Sequence, residues 1–138
     1  MTGLRDIEAA VPATEEWIDD LMGRLGWQDR ERVYLALIAT LHALRDSLPL
    51  EEITYLGGSF PALLRGLYYE GLHPRRRPLR SRRAFLERIH DGVHRDVGID
   101  PEQVAHAVFA LLAARLPPAE LEDAKAVTPE ALRALWPS

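Results

Sequence analysis

Apolar residues recur along this chain at three- and four-residue steps. Trp17, Ile18, Leu21 and Leu25 form one such run, and Phe85, Leu86, Ile89 and Val93 form another. That spacing puts each set on one face of a helix. With Thr14 and Ser81 as N-caps, amphipathic surface helices are expected over about 14–25 and 82–93. Two other stretches, VYLALIATLHAL (33–44) and VAHAVFALLAA (104–114), are apolar almost all round. A short helix with no polar face is covered on most sides, so helices over about 30–46 and 101–115 are expected to form the centre, packed on each other. Asp100 offers an N-cap for the second of these, Pro101 stands at its first turn, and Gln103 is placed as a capping-box partner. Pro49, Pro61, Pro117 and Pro129 each open a further short helix; Gly57-Gly58 closes the first and Gly71 lies near the end of the second. No strand pattern interrupts the series, and the fold class is all-α.

The eight predicted helices fall into two sets of four. Shifting the chain by 68 positions without a gap brings Trp17 onto Phe85, Leu21 onto Ile89, Leu44 onto Leu112, Leu48-Pro49 onto Leu116-Pro117 and Glu52 onto Glu120. FPALLRGLY (60–68) then lies on TPEALRALW (128–136), matching Pro61, Leu64, Arg65 and Leu67 with Pro129, Leu132, Arg133 and Leu135. The sequence therefore predicts one compact domain over 1–138, made of a repeat over about 14–71, an arginine-rich link over about 72–81 and a second repeat over about 82–137.

Length is consistent with that picture, since a chain of 138 residues is ordinarily one domain with a real core. With 47% hydrophobic and 28% charged residues, the composition is that of an ordinary soluble globular protein. The longest apolar run, Val104 to Leu116, contains His106 and Arg115 and is shorter than the roughly 20 residues of a membrane span. The first residues lack the pattern of a secretory signal, and the expected location is cytoplasmic. There is no cysteine, which excludes disulfides, thiolate zinc sites and a cysteine nucleophile. No cofactor is expected.

Charge alters the picture in one place. HPRRRPLRSRR (73–83) carries Arg75, Arg76, Arg77, Arg80, Arg82 and Arg83, and removing these six from a net charge of −4 leaves −10 for the rest. This run is a candidate site for an anionic ligand or nucleic acid. Nucleic-acid binders, however, spread phosphate-contacting cations over a broad face, whereas here the positive charge is one spot. The plainer expectation is a solvated, proline-stiffened connector whose arginines pair with the acidic N-terminal region, namely Asp6, Glu8, Glu15, Glu16, Asp19 and Asp20. Arg82 and Arg83 nevertheless occupy a helix start, where the dipole favours acids.

The stretch LHALRDSLPLEEITYLGGSFPALLRGLYYEGL (41–72) resembles the bacterial family known as domain of unknown function 2267, whose pattern is similar to LHALRDRLP, a leucine-rich stretch, then LP-x-LLRG-x-YYEGW. The match runs through Leu41-His42-Ala43-Leu44-Arg45-Asp46, Leu48-Pro49, Pro61, Leu64-Arg65-Gly66 and Tyr68-Tyr69-Glu70-Gly71, departing at Leu72 and in the arginine-rich link. A weaker second signature ends in LRALWP. The resemblance implies an all-helical fold and carries no established activity.

Polar residues in that motif form a second candidate site. His42, Arg45 and Asp46 lie on one helical face, where the shifted copy has Ala110, Ala113 and Ala114. They are expected to converge with Tyr68, Tyr69 or Glu70 beside the core, either as a small-molecule or proton-transfer pocket, in which an Asp-oriented His42 would serve as base, or as a hydrogen-bond network that fixes helix packing. Arg65 and Arg133, present in both copies, are expected to hold helix carbonyls. HDGVH (90–94) spaces two histidines like a zinc-binding helix, but Gly92 between them and a helix end close by leave surface histidines and no metal as the expectation. No catalytic constellation is evident. A non-enzymatic module acting through a protein partner or self-association is the leading reading, ahead of anion binding by the arginine run and of an enzyme built on His42 and Asp46.

Overall fold

The structure is a computed structural model describing residues 3–138. Seven α-helices are followed by one 3₁₀ helix: α1 (Leu4–Leu25), α2 (Arg30–Arg45), α3 (Leu50–Gly57), α4 (Ala62–Tyr69), α5 (Arg82–Gly92), α6 (Pro101–Arg115), α7 (Pro118–Val127) and the 3₁₀ helix Glu130–Leu135. No strand occurs among the described residues. Local chemistry accounts for most of the boundaries. Ser81 accepts from the Ala84 amide at 3.0 Å and opens α5. Asp29 accepts from the amides of Glu31 and Arg32 and opens α2. Asp100 opens α6 by accepting from the Glu102 amide at 3.0 Å, one residue earlier than the capping box with Gln103 would have it. After α4 the chain turns at Gly71, whose φ of +78° favours glycine.

Two elements differ from expectation. Helix α1 does not start at Thr14 but runs back to Leu4, with Pro12 inside it. Pro12 is exposed, so the carbonyl it leaves without an amide faces water. Thr14 is buried, and its hydroxyl donates backward to the Ala10 carbonyl at 2.8 Å, serving the helix interior instead of a cap. The segment after Pro129 winds as a 3₁₀ helix, where the sequence had predicted an α-helix like α4. Leu132, Leu135 and Trp136 are all buried there, and the tighter winding brings them inward from a segment of only six residues.

The core is continuous from Trp17 to Trp136 and includes the buried faces of α2 and α6. These two helices touch, but each has a more extensive partner: α2 packs mainly on α5, and α6 packs most on α1. The central contact thus joins the first half of the chain to the second. Gly92 explains how α5 comes so near. A Cβ at that position would lie 2.4 Å from the Ala39 Cβ and 3.2 Å from its Cα, so hydrogen on one side and a methyl on the other let the two helices meet. Two aromatic groups fill the space around this contact. Trp17, Phe60 and Tyr68 stack edge to face in sequence, with centroids 5.5 and 4.9 Å apart, while Phe109 bridges Phe85 and Trp136 at 5.8 and 4.4 Å.

Replacing Gly92 with Ala should therefore destabilise the fold by about 1–3 kcal/mol through overpacking, although alanine is the better helix former by roughly 1 kcal/mol. Urea unfolding of Gly92→Ala and of the double variant with Ala39→Gly checks this. The second substitution should restore part of the lost midpoint.

Candidate functional site

The polar residues of the 41–72 motif do come together, and almost all of them act on main-chain carbonyls at helix C-termini. Helix α2 presents His42 and Arg45 toward the end of α4. His42 Nε2 lies 2.7 Å from the Leu67 carbonyl oxygen. A carbonyl only accepts, so Nε2 carries the proton. Arg45, 1% exposed, sends one terminal nitrogen to the carbonyls of Tyr68 and Glu70 at 2.9 and 2.8 Å. The last carbonyls of a helix have no amide partner within it, and here two side chains from a neighbouring helix supply the donors. Helix α3 is closed in the same way from α4. The Tyr68 hydroxyl donates to Ile53, the Tyr69 hydroxyl to Thr54, and Arg65 to Gly57 and Phe60. Gly57 suits this arrangement, since a Cβ there would lie 3.2 Å from the Tyr68 ring. Glu70 contributes only its carbonyl; it is exposed.

Asp46 balances the charge. Its carboxylate receives two bonds from Arg45, at 2.9 and 3.1 Å, and lies 3.5 Å from Arg76 and 3.7 Å from Arg88. Three guanidinium groups thus share one anion at the C-terminal end of α2, where the helix dipole also favours cations. Asp46 and His42 do not form the dyad that a general base requires: the Asp46 carboxylate is held by arginines, and the His42 proton is spent on Leu67. Burial comes first among the causes that hold the His42 imidazole below its ordinary value, and the positive charges of Arg45 and Arg88 push the same way. Burial also raises the Tyr68 hydroxyl far above the usual tyrosine range, keeping it a donor.

The arginine run divides. Arg76 turns inward, 14% exposed, onto Asp46 and the Leu48 carbonyl, while the Leu79 amide donates to the Asp46 carbonyl at 2.9 Å. The connector is thereby pinned to the end of α2. Arg82 pairs with Glu102, and Arg83 pairs with Glu87 one turn along its own helix. None of these pairs involves the acidic N-terminal region, contrary to the sequence expectation. Glu15 and Asp19 instead face Arg30, and Asp20 takes Arg24 and Arg115. The connector passes the end of α2, and the acids of α1 are met by arginines from α1, α2 and α6. Arg75, Arg77 and Arg80 are exposed.

The two histidines of 90–94 do not share a helical face. Helix α5 ends at Gly92, and His94 and Arg95 take left-handed φ values of 58° and 52°. His90 Nε2 lies 2.9 Å from the Asp96 carbonyl, capping the turn. Among the described residues no group of three His, Asp or Glu is arranged to hold a metal, and no helix is long and apolar enough to cross a membrane. Two open grooves have volumes of about 640 and 620 Å³; one, lined by Arg82, Leu86, His90 and Glu102, lies away from the motif, and the other, lined by Trp17, Asp20, Phe60 and Arg115, touches the motif at residues 59–61 but takes in none of His42, Arg45 or Asp46. Reading from sequence missed Arg88, whose position on α5 carries no local signal, and missed the inward turn of Arg76 within a run of like residues.

His42→Ala should cost about 0.5–1.5 kcal/mol by taking the side-chain donor from the Leu67 carbonyl, which then keeps only the longer bond from the Glu70 amide at 3.3 Å. The pH dependence has a definite sign. The folded-state value of His42 lies below the unfolded one, so its contribution is complete above the ordinary histidine value of 6.5 and is lost as pH falls below it toward the folded value. Denaturant midpoints measured for wild type and His42→Gln between neutral and mildly acidic pH check this. The variant should lose less of its stability on acidification.

No curated protein matches the sequence. The model of a family described as uncharacterized conserved protein (DUF2267) matches residues 14–135, which takes in the whole capping cluster and all of α2 to α7. The chain belongs to that family.

Proposed function

We propose that this protein is a non-enzymatic helical module that works by protein–protein association, built as two copies of one unit in tandem. Element starts in the later part of each unit support the duplication: α7 begins 68 residues after the first residue of α3, and the 3₁₀ helix begins 68 after the first residue of α4. Arg65 and Arg133 also make matching bonds, to the Phe60 and Thr128 carbonyls. The polar cluster of the motif is consumed in closing helices, which favours a scaffold over a catalyst.

The observation that carries association is the first half of α1. Apolar residues Leu4, Ile7, Val11, Ile18, Leu21 and Leu25, with Thr14 at the one polar step between them, follow a heptad spacing, the seam of a coiled coil. From Thr14 onward this seam is covered by the body of the protein, with Thr14, Leu21 and Leu25 buried. Before it the same seam is bare: Leu4, Ile7 and Val11 are 70%, 61% and 55% exposed. These turns precede the residues matched by the family model. A second copy of the chain, offering the same seam, is the simplest cover, in an isologous pair.

Sedimentation velocity over micromolar to near-millimolar concentration tests this reading. The wild-type chain should shift toward a dimer, and Ile7→Glu with Val11→Glu should hold it monomeric with the melting temperature that the wild type shows at low, monomeric concentration, because both residues are exposed in the single chain. A wild-type chain that stays monomeric throughout would overturn self-association.

A second reading, binding of an anionic partner, is favoured by the exposure of Arg75, Arg77 and Arg80 on a connector held in place by its neighbours. Three phosphate contacts to a single-stranded oligonucleotide imply a slope of about −2 in log affinity against log salt. A fluorescence titration at about 50 and 200 mM salt should show that loss and show it abolished in Arg75→Ala, Arg77→Ala, Arg80→Ala. Absence of binding at the lower salt would remove this reading.

A further inference from the structure

Helix α3 packs against α7, and each brings a glutamate toward the other, Glu52 from α3 and Glu120 from α7. Glu120 is 7% exposed, a depth at which carboxylates are rare unless paired. Its Oε2 accepts from the Ser59 hydroxyl. Its Oε1 is buried with no donor, and so is Oε1 of Glu52. Asp123, one turn along α7, adds a third negative charge that acts on Glu52 together with Glu120.

The donors on surrounding elements are committed elsewhere. Arg65, Tyr68 and Tyr69 of α4 donate to carbonyls of residues 53 to 60. Arg115 at the end of α6 pairs with Asp20, and Lys125 of α7 pairs with Glu122. No set of three metal-binding side chains is assembled there or elsewhere among the described residues. What fits two buried oxygens that lack donors, on two like-charged groups, is a proton: it turns one acceptor into a donor and removes one of the repelling charges.

We propose that Glu52, beside the buried Glu120 carboxylate, forms a pH-operated latch on the α3–α7 seam, closed when Glu52 is protonated and loosened when rising pH strips that proton. Burial, followed by the charges of Asp123 and Glu120, raises the Glu52 carboxyl above its ordinary value of 4.5. A group raised in this way stabilises the fold fully below its unfolded value, and that contribution is lost as pH rises through the folded value. The sign is opposite to that of His42. Because α7 leads directly into the 3₁₀ helix and its buried Leu132, Leu135 and Trp136, the part that loosens is the C-terminal end of the chain. The latch does not depend on the association reading, which rests on α1.

Glutamine at either position mimics the protonated state, so thermal unfolding of wild type, Glu120→Gln and Glu52→Gln at about pH 5 and pH 8 tests the latch. Near pH 8 each variant should melt about 3–5 °C above wild type, with slower hydrogen exchange in α7, and near pH 5 the gap should close. A gap of the same size at both pH values, or variants that melt below wild type near pH 8, would overturn the proposal. So would magnesium or calcium raising the melting point of wild type near pH 8 but not that of Glu120→Gln, since the pair would then hold a cation instead of a proton.

Discussion

A single buried guanidinium, Arg45, ties the structure together. It sits at the last turn of α2, is closed off from solvent, and holds the final carbonyls of α4 with one nitrogen while its other two grip Asp46. Breaking such a buried pair by removing one partner typically costs 3–5 kcal/mol, because the remaining charge has no solvent to turn to. Through Asp46 the same group reaches Arg76 of the connector and Arg88 of α5, so four segments distant in sequence are held at one point. Arg45 fixes the end of α4, α4 closes α3 through Arg65, Tyr68 and Tyr69, and Asp46 anchors the start of the second half of the chain.

Around that point the architecture is one of short helices whose ends are closed by their neighbours. Five of the eight helices have ten residues or more, but α3 and α4 have eight each, too short to be stable by local bonding alone. Side-chain capping from adjacent helices therefore substitutes for length. The price of this design falls on polar groups, which must be buried and must be satisfied; among the described residues that is incomplete at Arg76 Nε and at Glu52 and Glu120 on the α3–α7 seam, and the proposed protonation acts on that seam. The apolar contacts follow a different rule. Gly92 against Ala39 lets α5 approach α2, and the aromatic sets around Phe60 and Phe109 fill the volume on either side.

These features shape the functional reading. Family membership brings no chemistry with it, and the motif that identifies the family is occupied with helix ends. The bare seam of α1 and the three outward arginines of the connector, one apolar and one cationic, are the surface features on which the two proposed modes of attachment rest.

The helices, their order and most of their termini were legible in the amino-acid sequence because each depends on residues within a turn or two: Ser81 and Asp100 cap, prolines start, Gly71 turns, and apolar spacing marks the inner face. The gathering of His42, Arg45, Asp46, Arg65, Tyr68 and Tyr69 was legible only as a shared motif, since nothing local says that a carbonyl twenty-odd residues away will be the partner. The heptad of α1 was also present in the sequence, but Pro12 and the cap-like Thr14 concealed it. Sequence alone determined an all-α chain of eight helices with a charged connector. Tertiary structure alone decided that Arg76 turns inward while Arg75 and Arg77 do not, that α2 pairs chiefly with α5, and that Glu52 and Glu120 of two packed helices each keep a buried oxygen without a donor, because each of these depends on which distant groups compete for the same charge or the same space.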